Sequence, residues 1–235
     1  MKTPRTFVAA LAEVDLPLVF NPYRYICPLH DLPDAARVRL RNLKLCLEAA
    51  LDMRAETVWI ARDLGYRGGR RTGVPLTDEV HLAPAGALMG GIELRRATCS
   101  PVVAERTAAV VWRVLSRVGQ PVFLWNAFPL HPYEADTPLS NRCHTRAERE
   151  ATWPLLNALL TMIRPRQLVA IGRDAGLALA TVGVPVHVVR HPSYGGQAEF
   201  IAGVCALHGL RADTPPPAPA LLPLAPVQAT TSAAA

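Results

Sequence analysis

The chain has 235 residues, half of them hydrophobic, with a formal charge of +6 and a pI of about 9.4. That length suits one sizeable α/β domain with a packed core. Five cysteines, an odd number with no C-x-x-C pair, indicate neither a disulfide framework nor a metal ribbon, and no apolar run is long enough to cross a bilayer. The basic balance favours a polyanionic partner such as nucleic acid, although GC-rich coding would give the same Arg and Ala bias. Lys2 and Lys44 are the only lysines, so the positive charge is almost all arginine, whose rigid fork suits phosphate.

In chain order, Thr6–Val14 reads as a short helix. Glu13 and Asp15 interrupt it before a secretory core forms, so a cytoplasmic location with buried free thiols is expected. Asp31–Met53 places Leu, Val and Ala at helical spacing behind Asp31 or Asp34 as N-cap. Thr57–Ala61 is the first strand. Residues 62–84 form a Gly- and Arg-rich loop, long enough to suggest function. Pro101–Val118 reads as a helix with Ser100 as N-cap. Val122–Trp125 is the second strand, ending at Asn126, and residues 131–145 are a polar loop. Arg146–Ile163 is a helix opened by the capping-box pair Thr145 and Glu148, with Pro154 expected to kink it. Gln167–Ile171 and Val186–Val189 are the third and fourth strands. Helices are expected at Arg173–Val182 and Gln197–His208.

Strands alternating with helices predict a three-layer α/β/α fold with a central four-stranded parallel sheet. Residues 1–213 form this single domain. Residues 214–235, mostly Pro, Ala and Leu without periodicity, are expected to be disordered.

Three loops leave carboxyl ends of strands, where open α/β sheets bind ligands. The first, residues 61–77, holds one acid, Asp63, among Arg62, Arg67, Arg70 and Arg71, with glycines that let backbone approach a ligand. It reads equally as a phosphate loop or as an Asp–Arg pair in a solvated loop. In the second, Asn126 either turns the chain or reads the edge of a planar amide. In the third, His191 precedes Pro192 and is either a packed histidine or an oriented one.

Taken together, these loops resemble the uracil-DNA glycosylase superfamily over roughly residues 55–205. Asp63 after strand one looks like its water-positioning acid. GVPLT, residues 73–77, resembles the segment that supplies a stacking side chain, here Leu76. Asn126 after VFLW matches the base-reading Asn, and HPS at residues 191–193 matches the last motif. PLSNRCHTRAERE, residues 138–150, and LVAIGRDAG, residues 168–176, resemble stretches of the thermophile-type and related branches. The chain departs from the pattern at several places. Arg62 stands where some branches carry Glu. Gly65 stands where others carry an aromatic that excludes the thymine methyl, with Tyr66 one later. His144 replaces a proline.

The resemblance implies a monofunctional glycosylase that hydrolyses the N-glycosidic bond of uracil in DNA, needs no cofactor or metal, and acts as a monomer. Asp63 would stabilise the sugar cation and orient or deprotonate water. His191 would donate to the departing base, and Asn126 would read uracil beside Gly65, Tyr66 and Leu76. Arg62, Arg67, Arg70, Arg71, Asn141, Arg142, Arg190 and Ser193 would contact DNA, with Tyr194 as a wedge. The alternatives are a glycosylase for another deaminated base such as hypoxanthine, a DNA- or abasic-site-binding protein with little turnover, and a small-molecule nucleotide binder.

Overall fold

A computed structural model describes residues 1–211; the segment expected to be a tail, residues 214–235, lies outside them. In chain order the elements are α1 (Pro4–Ala12), β1 (Val19–Phe20), α2 (Ala35–Asp52), β2 (Thr57–Asp63), α3 (Gly69–Thr72), α4 (Leu82–Leu88), α5 (Arg106–Leu115), β3 (Val122–Phe128), β4 (His131–Pro132), α6 (Arg146–Ile163), β5 (Gln167–Ile171), α7 (Arg173–Ala178), β6 (Val186–Val189) and α8 (Gln197–Leu207).

The runs TVWIARD and VFLWNAF pair in parallel because both faces of each are apolar and each face finds a helix layer. Val58 and Ile60 point into one apolar cluster, with Phe7 and Leu11 of α1, Leu43 and Leu47 of α2, Leu155 and Leu159 of α6, and Ala175 and Ala178 of α7. Trp59 and Ala61 point the other way, into a cluster with Val111 and Leu115 of α5 and Phe200 and Val204 of α8. The period-two alternation of a strand thus produces the three layers. Each fully buried Leu, Val or Phe contributes about 1.5–3 kcal/mol.

The sheet order is β3-β2-β5-β6. All four strands are parallel, as the sequence predicts. The chain leaves β2 for β3 on one side and later returns to β5 on the other. The switch point therefore lies between β2 and β5, and a crevice at their carboxyl ends is where such sheets bind ligands.

Several boundaries differ from expectation. Strand β3 continues through Asn126 to Phe128, because Ala61 pairs with Asn126 and Asp63 with Phe128. Asn126 is therefore a strand residue, not the first residue of a loop. Within the stretch expected to be loop lie α3 and α4, and β4 pairs antiparallel with β1.

The helix expected from Pro101 begins at Arg106. Residues before it stay irregular because two distant carboxylates take their N–H groups: Glu79 accepts from Val103 at 2.9 Å and Asp78 from Glu105 at 2.6 Å. Helix α2 begins after Asp34, but the Asp34 side chain caps nothing; it pairs with Arg37. The capping box at Thr145 and Glu148 forms as the spacing predicts. Helix α6 runs through Pro154, whose missing N–H leaves the carbonyl of exposed Glu150 to solvent. Cys27, Cys46 and Cys205 are buried, whereas Cys99 and Cys143 are exposed, so the expectation of buried thiols holds for three of five.

Candidate functional site

Strand β2 delivers Asp63 as its last residue, at the switch-point edge of the sheet. The Asp63 side chain is 8% exposed and both its oxygens accept hydrogen bonds. Arg62 Nε donates to Oδ2, and His144 Nδ1 approaches Oδ1. Because a carboxylate oxygen only accepts, the His144 proton sits on Nδ1. The His144 ring is held by Phe128 of β3, with centroids 5.4 Å apart.

Arg62 reaches onward to Asp174 at the start of α7, donating from Nη1 at 2.8 Å. One guanidinium thus bridges two carboxylates from different elements and lies in the field of His191. It is an Asp–Arg pair, as one sequence reading had it, but it sits in the crevice at the sheet edge.

Asn126 lies beside Asp63 and donates from Nδ2 to the Asp63 carbonyl at 2.8 Å. That bond fixes the amide, and Oδ1 is left buried with no partner among the described residues. An unpaired buried carbonyl costs about 1–3 kcal/mol. The position is a poor place for a side chain that merely turns the chain, and a good one for an acceptor that awaits an N–H.

His191 follows β6 and is partly buried. The Ser193 backbone N–H donates to its Nδ1 at 3.1 Å, and Ser193 Oγ lies 2.7 Å away. Nδ1 is therefore an acceptor, and the ring proton of the neutral imidazole sits on Nε2. Burial lowers the His191 pKa, and Arg62 and Arg190 lower it further, so the ring is neutral at physiological pH. The result is an uncharged donor with a fixed tautomer. Gly172, at φ +93, backs it: a Cβ there would lie 3.1 Å from the His191 Cβ.

The other expected site residues divide into three groups. Tyr194 is 97% exposed at a left-handed φ of 49°, flanked by Gly195 at +78°. Arg67 and Arg190 are also exposed, and Arg67 lies over the Tyr66 ring and donates to its hydroxyl. The Tyr66 backbone N–H is accepted by Asn141 Oδ1 at 3.0 Å, which ties the first loop to the one after β4.

Arg70 and Arg71, by contrast, are buried and Arg142 is half-buried, and each guanidinium is engaged by partners within the protein. Arg70 donates to His131 at 2.9 Å and packs on Phe20. Arg71 pairs with Glu79 at 3.0 Å and donates to Ser100. Arg142 holds Glu148 with both terminal nitrogens, at 2.6 and 2.9 Å, and donates from Nε to the Tyr133 carbonyl.

Leu76, expected to stack on a base, is 9% exposed. It belongs to the apolar cluster with Ala61 and Ala85, at a left-handed φ of 56°. A non-glycine residue held there carries backbone strain of about 1–2 kcal/mol.

Two residues near the site carry no sequence signal that assigns them a role: His144, which in sequence is only a departure from a proline, and Glu105, which belongs to no motif. A Cβ on Gly65 would come within 3.0 Å of its carboxyl oxygen, and one on Gly68 within 2.1 Å. Gly65 thus makes room for Glu105. Burial and the nearby Asp78 push its pKa up to about 7, against a smaller opposing pull from Arg67.

A separate cavity of about 610 Å³ is lined by Phe20, Tyr25, Leu29, Arg70 and Tyr133, among others, and touches none of Asp63, Asn126 or His191. No cluster of His, Cys, Asp and Glu suited to a metal ion occurs among the described residues. No described helix is long and apolar enough to cross a membrane.

No protein-family model matches the sequence, and no curated protein matches it. Among solved structures, the crystal structure of wild-type SMUG2 from Pedobacter heparinus is similar, with a TM-score of 0.58 at 12% identity. The match covers 89% of this chain and all of that one. At that identity the likeness is one of fold.

Proposed function

We propose that this protein is a DNA glycosylase that hydrolyses the N-glycosidic bond of uracil in DNA. The observation that carries the reading is the amide of Asn126. It is anchored by its donor end, and its buried acceptor is unpaired, one residue pair along the sheet from Asp63. Uracil offers an N–H flanked by carbonyls, and the N–H would satisfy Oδ1. Cytosine offers a bare ring nitrogen there and would leave two acceptors facing each other. The shared fold with SMUG2, a uracil-DNA glycosylase superfamily member, supports the reaction class.

Breaking the bond develops positive charge on the sugar and negative charge on the base. The Asp63 carboxylate suits the first and orients the attacking water. The His191 Nε2–H, with its fixed tautomer, suits the second. It donates without carrying a charge that ground-state binding would have to desolvate. The scissile bond is inaccessible in a stacked duplex, so the base must be flipped out, and Tyr194, which is exposed, would fill the gap. No metal or cofactor is needed for these steps, and the protein is expected to act as a monomer.

Base release from oligonucleotides carrying uracil, hypoxanthine or a thymine mismatch tests the reading. Release from uracil above the others is expected. Release from hypoxanthine alone would move the specificity to another deaminated base. DNA binding without any release would make this a binding protein.

A further inference from the structure

Each oxygen of the carboxylate taken as the acid–base group of the site is already engaged by one donor. Asp63 Oδ1 is met by His144 and Oδ2 by Arg62. His144 donates its Nδ1–H to Asp63 Oδ1, so in the neutral ring Nε2 carries a lone pair. No hydrogen bond to Nε2 occurs among the described residues, and the His144 side chain is only 5% exposed. Phe128 and Asp63 fix the ring from two sides. A base backed by a carboxylate is an arrangement that activates water: the anion orients the imidazole and stabilises the imidazolium that forms.

Resting on the glycosylase reading, we propose that His144 is the proton acceptor of the reaction and Asp63 its orienting anion. The water oxygen bonds to the sugar C1′ as the C1′–N bond breaks. The electron pair of that bond leaves with the base, where His191 meets it. The water proton passes to His144 Nε2, and the imidazolium is balanced across Nδ1–H by Asp63. The charged and titratable groups around this pair are Arg62 on β2, Arg142 and Cys143 in the loop of His144 itself, Glu148 on α6 through Arg142, and Asp174 on α7 through Arg62. His191 lies beyond Arg62.

The test uses the full chain, a uracil-containing oligonucleotide and single-turnover rates from pH 5 to 9. Asn and Gln at position 144 can donate to Asp63 but cannot accept a proton, so H144N and H144Q keep the positioning contact and remove the base. In the wild type the rate is expected to rise with pH and level off. In both variants it is expected to fall about 100-fold or more, with that limb gone and DNA affinity unchanged. Melting temperature, read on the same samples, excludes loss of fold in at least one variant. An active wild type whose rate and pH limb survive in a folded H144N or H144Q overturns the role of His144 and leaves the glycosylase reading standing. A wild type that releases no base overturns both.

Discussion

Arg62, near the end of β2, and Arg67 lie within ten residues of Arg70 and Arg71 in sequence, and the two pairs meet opposite fates. The first two stay at the surface of the crevice, partly or wholly exposed. The other two are folded under, against His131, Phe20 and Glu79. Sequence lists all four as one basic patch. What separates them is α3: Gly73, left-handed at φ +71, closes a one-turn helix whose arginines face inward, and Arg39 of α2 donates to the Arg71 carbonyl beneath it. One half of the stretch stays open to solvent, where the proposed chemistry would lie, and the other half is scaffold.

If that division is right, the two halves should fail differently. Asp63→Asn should slow base release by about two to four orders of magnitude, with DNA binding and melting temperature nearly unchanged. Near-normal single-turnover rates would make Asp63 scaffold as well. Arg39→Ala strikes the other half. It leaves the fully buried Asp31 carboxylate without its main partner and should cost about 3–5 kcal/mol in denaturant unfolding. The rate per folded molecule should survive; a specific loss of rate would erase the distinction.

Glu105 lies on the boundary. Its raised pKa means the folded chain binds this proton more tightly than the unfolded chain does. Stability therefore falls as pH rises from about 4.5 to about 7, and the penalty is complete above that range. Glu105→Gln should be more stable than wild type by about 2–3 kcal/mol at pH 8 and indistinguishable near pH 4. A difference that does not change with pH would place the carboxyl in water.

The smallest effect concerns salt. Arg67→Ala should lower the slope of log K for DNA against log salt by about one unit, and Arg70→Lys should leave it alone. Equal effects from both would mean that the buried arginine reaches DNA after all.

The alternation of strand and helix was legible because each buried strand is a continuous apolar run and each helix shows its own period. The helix α4 was not: its sequence LAPAGAL carries Pro84 and Gly86, and it is held by its tertiary setting. Nor was the late start of α5, because Asp78 and Glu79, more than twenty residues away, satisfy the N–H groups that a local cap would have taken. Asp63 and His191 stand out in the sequence because each ends or follows an apolar strand, and Asn126 because it is the one polar residue inside VFLWNAF. His144 could not be assigned a partner, since no periodicity links it to residue 63. The burial of Arg70 and Arg71 and the pairing of Arg142 with Glu148 are hidden for the same reason: a guanidinium fork looks the same in sequence whether it faces phosphate or a protein acceptor.

Gly172 shows how narrow the tolerances are. It binds nothing, yet its missing side chain is the space that His191 occupies, and its amide holds the end of β6 by donating to Val189 at 2.8 Å. A single methyl group there would press on the His191 Cβ at 3.1 Å and would itself sit on a backbone disfavoured for L-residues. The reach of the site therefore extends one layer behind the atoms that would touch a nucleotide. A variant library restricted to crevice-facing positions would miss a position where one added methyl group presses on the histidine.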